Sequence, residues 1–183
     1  MNCRLQPIIL VAFVFAALML APAAHGQTAP SQPEGEGESA PLEAPSIKKD
    51  LYPADADAKK EIAEALQTSA RDHKRVLLIF GGNWCLDCHV LDGALHEGAA
   101  GKIMKDNFML VHVDIGAADK NLDLTKKYKI PLEKGVPAVA VLNAEGELLY
   151  SSGDGEFEAA RRMMKKDLVA FLMRWQEKLP PGR

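Results

Sequence analysis

The sequence predicts an α/β fold, on three features of its patterning. Two strongly apolar runs, Val76 to Phe80 and Phe108 to Val113, are each preceded and followed by segments of helical spacing. Two further short runs, Ala138 to Leu142 and Glu147 to Tyr150, flank Asn143-Ala144-Glu145-Gly146 and read as a β-hairpin. A one-sided apolar stripe on a long final helix then closes the chain, giving strands that alternate with helices before an antiparallel pair.

Taken in order, the chain opens with Arg4, the apolar run Ile8 to Leu20 and the small-residue stretch Ala21-Pro22-Ala23-Ala24-His25-Gly26, the layout of a secretory signal peptide over residues 1–26. The run is shorter than the ~20 apolar residues of a spanning helix, so cleavage is expected near Gly26, with Ala21 to Ala23 as the competing site. Cys3 precedes the apolar run, where it does not suit a lipoprotein signal, and is expected to leave with the peptide. Residues 27–46 hold Pro30, Pro33, Pro41, Pro45 and four glutamates with little apolar content, the composition of a disordered tether. From Ile47 onward there are 21 Lys plus Arg and 21 Asp plus Glu, so the folded domain, residues 47–183, is formally neutral. No basic patch points to nucleic acid.

Within that domain Ala58, Ile62, Ala65, Leu66 and Ser69 fall at helical spacing from Asp55 to Asp72, with acids near the start. Val76-Leu77-Leu78-Ile79-Phe80 is apolar at every position, as in a strand covered on both faces, and Gly81-Gly82 ends it. A helix should begin near Cys85 and run past Leu91 and Leu95, kinked or broken by Gly93, Gly98 and Gly101. After the strand ending at Asp114 comes a short helix over Asn121 to Tyr128. The last helix should carry Phe157, Ala160, Met164, Leu168, Phe171, Leu172 and Trp175 on one side, with Met163 and Met164 as core filler.

The chemistry concentrates in Trp84-Cys85-Leu86-Asp87-Cys88-His89. Two cysteines one helical turn apart after an apolar strand read as a redox-active dithiol. At a helix start both sulfurs share one face, within reach of a disulfide, and free N–H groups favour a thiolate on Cys85, the expected nucleophile, with Cys88 as resolving thiol. A purely structural bridge is the plainer reading, but so short a loop constrains the unfolded chain little.

From Ala54 to Trp175 the chain resembles the thioredoxin superfamily, most closely its exported branch, through Trp84-Cys85-x-x-Cys88, the strand before it, and Gly135-Val136-Pro137 before the hairpin. The resemblance implies a central mixed sheet of about four or five strands flanked by helices. It implies a cis bond before Pro137, and substrate binding at Trp84, at Pro137 and along the Val136 backbone, which would pair with a substrate strand. It also implies that Cys85 attacks a substrate disulfide and that Cys88 resolves the mixed disulfide. Leu86 and Asp87 are the positions that tune the dithiol: a carboxylate in the first turn repels a nearby thiolate, so Asp87 argues for the reducing end of the family. His89 is expected on the surface. Two departures stand out. The family's buried aspartate and its lysine partner, which help move the resolving thiol's proton, correspond to Ile79 and Leu110 here, and the segment Ile130 to Val136 is longer than the usual connection.

Cys85-x-x-Cys88-His89 also satisfies the c-type haem attachment signature, which would use His89 as axial ligand. Zinc would need His73, His89, His96 or His112 to converge with the cysteines, without a paired second motif. A non-catalytic peptide-binding module on the same fold is a third alternative. The expectation is a monomeric, exported thiol–disulfide oxidoreductase without cofactor or metal, acting as a reductase on disulfide-containing proteins, and recharged by a membrane electron donor.

Overall fold

The computed structural model describes residues 39–43, 47 and 50–176. The signal-peptide reading and most of the expected tether lie outside these residues. Helix α1 spans Ala58–Asp72 and is started by Asp57, whose carboxylate accepts the N–H groups of Lys59 and Lys60 at 3.1 Å each. Such a cap is worth about 1 kcal/mol. Strand β1, Arg75–Gly81, follows, then α2, Leu86–Ala94, and α3, Gly98–Asn107. The expected break in the second helix is thus real, and it falls at Leu95 to Glu97, before Gly98 at φ 53°. Strand β2, Phe108–Asp114, leads to α4, Leu122–Lys127; β3, Ala138–Leu142, and β4, Leu148–Ser151, form the hairpin, and α5, Lys165–Trp175, ends the described chain.

The four strands make one mixed sheet in the order β2-β1-β3-β4, with β1 parallel to β2 and antiparallel to β3, and β3 antiparallel to β4. The side chains of β1 explain its unbroken apolar sequence. Val76, Leu78 and Phe80 pack with Ala58, Ile62 and Ala65 of α1 on one face, while Leu77 and Ile79 pack with Leu91, Leu95, Leu168 and Leu172 from α2 and α5 on the other. Each of these five strand residues is at most 1 % exposed. A central strand covered on both sides is what a doubly apolar run encodes. It also places its C-terminal end, Phe80 to Gly81, as a fixed platform for the cysteine turn.

Three expectations are corrected here. The last helix begins at Lys165, not near Phe157, because residues 160–162 form a separate 3₁₀ turn whose Arg161 N–H is engaged by Asp87. Phe157 and Ala160 are buried as expected, from that irregular segment. Part of the expected tether is folded: Pro41 bridges Met164, the Leu42 N–H donates to the Met163 carbonyl at 2.9 Å, the Lys165 N–H donates to the Ala40 carbonyl at 2.9 Å, and Leu42 is buried. The composition of this stretch is poor in apolar residues, but a single buried leucine and two backbone hydrogen bonds suffice to seat it. The register also changes one correspondence: Leu110 lies opposite Leu77, and the residue opposite Ile79 is His112.

Candidate active site

Cys85 is the N-cap of α2, in extended conformation, and Cys88 lies one turn on; the two are joined by a disulfide with Cα atoms 5.3 Å apart. The Cys88 N–H is directed at Cys85 Sγ at 3.1 Å, so the helix start presents a donor to the first sulfur. An N–H at a helix N-terminus stabilises negative charge on its acceptor, which is the physical basis for a nucleophilic Cys85. Cys85 is 5 % exposed and Cys88 fully buried. Cys85 is therefore the more accessible of the two.

The segment before β3 closes over this turn. Cys85 Sγ lies 3.6 Å from the Val136 carbonyl oxygen, and the Val136–Pro137 peptide bond is cis. Trp84 projects from the other side, 65 % exposed, with its indole N–H donating to the Gly116 carbonyl at 2.8 Å. Between them a groove of about 520 Å³ is lined by Trp84, Ile115, Ala117, Leu132 and Val136. The long Ile130 to Val136 segment contributes its floor through the 3₁₀ turn at Leu132–Lys134. Trp84 and Val136 thus line one groove and Cys85 lies against Val136, while Cys88 and Pro137 are buried and do not line it.

The residues between the cysteines part ways. Leu86 is 42 % exposed at the helix surface. Asp87 is 8 % exposed and turned into the protein: it accepts the Arg161 backbone N–H at 2.9 Å and lies 3.1 Å from Arg161 Nη1. Its charge is therefore accompanied by a guanidinium, which weakens the repulsion of a Cys85 thiolate expected from sequence.

His89 corrects the surface expectation. It is 2 % exposed, with Nε2 3.0 Å from the Asn83 carbonyl oxygen. Helix α2 is buried at every position from Asp87 to Asp92, because α3, the 160–162 turn and the sheet cover it, so helical spacing alone could not leave this ring outside. That contact also occupies the nitrogen an axial haem ligand would use, and the sulfurs that would carry haem thioethers are bonded to each other. Among the described residues no group of three or more His, Cys, Asp or Glu is placed to hold a metal ion. His96 and His112 both approach Asp92.

Three residues at this site were not singled out by sequence. Asn83 donates its Nδ2–H to the Tyr52 carbonyl at 2.7 Å and accepts the Tyr52 N–H at 2.9 Å, clasping the chain ahead of α1 to the cysteine turn. Tyr52, 2 % exposed, packs with Leu51, Cys85 and Cys88. Burial, then the charges of Asp92 and Asp114, push its phenol well above the usual tyrosine range. Asp92 follows Cys88 by four residues, on the same helix face, and its Oδ1 lies 3.1 Å from His112 Nε2. That spacing was the one available signal; nothing local marks Tyr52.

Comparison with known proteins agrees with this arrangement. Residues 57–144 match a family model described as thioredoxin-like. The chain is 30 % identical over 105 residues to the disulfide bond reductase DsbH of Chlamydia pneumoniae, a match over 50 % of this chain that spans 59 % of that protein's length. It is also similar to the crystal structure of a disulphide isomerase from Xylella fastidiosa Temecula1, at 36 % identity and a TM-score of 0.64, covering 68 % of this chain and 95 % of that one. With a mixed sheet, a helix-capping Cys85-x-x-Cys88 pair and these relatives, the chain belongs to the thioredoxin superfamily.

Proposed function

We propose that this protein is a thiol–disulfide oxidoreductase that reduces disulfides of exported proteins. The observation that carries the reading is the Cys85–Cys88 disulfide at the start of α2, with the Val136 backbone and the Trp84 groove on either side of its outer sulfur. An extended substrate segment can lie against Val136 with an apolar side chain in the groove, which brings its own disulfide to Cys85. In the reduced protein the Cys85 thiolate attacks one substrate sulfur, the substrate S–S bond breaks, and its other sulfur leaves with the bonding pair and takes a proton. Cys88, after losing its proton, attacks Cys85 and expels the second substrate sulfur, leaving the protein oxidised and the substrate reduced by two electrons.

The reducing direction is supported by the activity named for the Chlamydia relative, a reductase. Export rests on the signal-like residues 1–26, and an exported reductase needs a membrane electron donor because the periplasm holds no thiol buffer. The test is the equilibrium potential of the purified protein, with trapping of substrates on Cys85 in a Cys88→Ala variant. A potential near ~−270 mV together with trapped, disulfide-containing proteins is the expected result; one near ~−120 mV makes the protein an oxidant. The Xylella relative is described as an isomerase, and that second reading requires the reduced protein to reshuffle a scrambled disulfide protein without net electron transfer.

A further inference from the structure

Beneath the disulfide lies a buried polar group that the thiol chemistry above does not use. The Tyr52 hydroxyl is enclosed and has no hydrogen-bond partner among the described residues. A side chain on Gly81 would meet Cys88 Sγ at 2.5 Å and the Tyr52 hydroxyl at 2.6 Å, so sulfur and hydroxyl converge on the one space that this glycine leaves open. Asn83 holds Tyr52 there by both backbone groups. The ring stands edge-on to His112, with centroids 5.2 Å apart, and His112 is in turn paired with the buried Asp92.

We propose that the Tyr52 hydroxyl is the hydrogen-bond donor to the Cys88 sulfur in the reduced protein, and that it thereby sets how readily the Cys85–Cys88 bond is reduced. The inference rests on the redox reading of the pair. A buried hydroxyl without a partner is costly, and a disulfide sulfur is too weak an acceptor to relieve it. Reduction by a dithiol adds two electrons and two protons across the S–S bond while the dithiol becomes its own disulfide. The Cys88 sulfur then becomes a thiol and, once its proton has passed to solvent, a thiolate, which is a strong acceptor. The Cys88 N–H points at Cys85, so it cannot serve the second sulfur. Tyr52 can, and the interaction exists only in the reduced state. A donor that favours one redox state shifts the equilibrium toward it.

The groups facing Tyr52 keep it a donor. Cys88 and Asp92 face it from α2, and His112 and Asp114 from β2. The two carboxylates oppose a phenolate, so the hydroxyl keeps its proton while the sulfur loses one. The family's buried acid is replaced at its usual place by Ile79, and a neutral donor approaches the resolving sulfur from the segment ahead of α1 instead.

The experiment is Tyr52→Phe in the full chain, equilibrated against reduced and oxidised dithiothreitol. The expected result is a disulfide about tenfold harder to reduce, a potential ~30 mV more negative. In a Cys85→Ala background the Cys88 thiolate, read by ultraviolet absorbance, should form about one pH unit higher in the Phe variant. Thermal unfolding of the oxidised form should be no easier than in the parent, since the hydroxyl has no partner there. An unchanged equilibrium constant, or an equal loss of stability in oxidised and reduced forms, overturns the proposal. A parent protein that exchanges with dithiothreitol yet reduces no protein disulfide overturns the functional reading instead, and leaves the effect of Tyr52 measurable.

Discussion

Replacing Asp87 separates a structural clamp from an electrostatic influence on the dithiol. Its carboxylate joins α2 to a turn 74 residues away, through the Arg161 backbone N–H at 2.9 Å and the guanidinium at 3.1 Å. A hydrogen bond to a charged acceptor contributes ~1.5–3 kcal/mol, and here its loss also leaves the Arg161 N–H without its acceptor. The guanidinium is half exposed, with 52 % of the Arg161 side chain accessible, so the ion pair adds under ~1 kcal/mol after solvent screening. Asp87→Ala should therefore cost about 2–3 kcal/mol, Arg161→Ala less than about 1 kcal/mol because its N–H is retained, and Asp87→Asn an intermediate amount. Urea unfolding of the oxidised protein at neutral pH reads these differences, with the slope m unchanged. An Arg161→Ala loss equal to that of Asp87→Ala refutes the backbone clamp. The same Asn variant tests the tuning role. With Arg161 beside it, Asp87 should move the Cys85 thiolate by less than about one pH unit, and a larger fall on neutralisation would mean the carboxylate acts unscreened.

Three further outcomes follow from neighbouring contacts. Asn83→Ala removes two hydrogen bonds to the Tyr52 backbone and should cost about 2 kcal/mol, with faster hydrogen exchange at the Tyr52 amide; exchange at the parent rate would count against the clasp. Gly81→Ala forces a methyl into the space shared by Cys88 and Tyr52, which should destabilise the fold by ~1–3 kcal/mol and slow disulfide re-formation; a neutral variant would show that this space is not filled as described. Burial raises Tyr52 above the ordinary value of 10.0, as burial and the Glu156 contact do for Tyr150. A folded-state pKa raised in this way adds stability that is complete below pH 10 and is lost as pH rises through the window above it. The thermal midpoint should fall in that alkaline range, and Tyr52→Phe with Tyr150→Phe should flatten the fall; an unaltered slope in the double variant speaks against it.

The sheet was legible because its signals are local. A run of five apolar residues before Gly81-Gly82, and a hairpin turn at Asn143 to Gly146, each encode their element without reference to the rest of the chain. The cysteine turn was readable for the same reason, as a short motif at a helix start, whereas Trp84 and the Val136-Pro137 edge were singled out by the resemblance to the thioredoxin superfamily and not by their spacing. The parts that escaped depend on contacts distant in sequence. Asp87 is paired with Arg161 and Asn83 with Tyr52 across 74 and 31 residues, and no periodicity reports such a pairing. His89 was misplaced because helical spacing distinguishes faces only when one face is free, and α2 is covered on nearly all of them. The last helix was overextended since buried Phe157 and Ala160 happen to continue the spacing of α5 through a turn.

The clasp between Asn83 and Tyr52 changes where the working unit begins. The residues matched by the family model start at position 57, and the regular elements at Ala58. A protein trimmed to either boundary keeps every strand and helix of the described residues, and both Cys85 and Cys88. It loses Leu51 and Tyr52, which pack directly on the cysteine pair. Cys88, sheltered from water in the full chain, would then lie open to it on that side. The trimmed chain would have a familiar fold with a different thiol in it, more open to alkylating reagents and to air. For this protein a boundary chosen by fold alone is not the boundary of its chemistry.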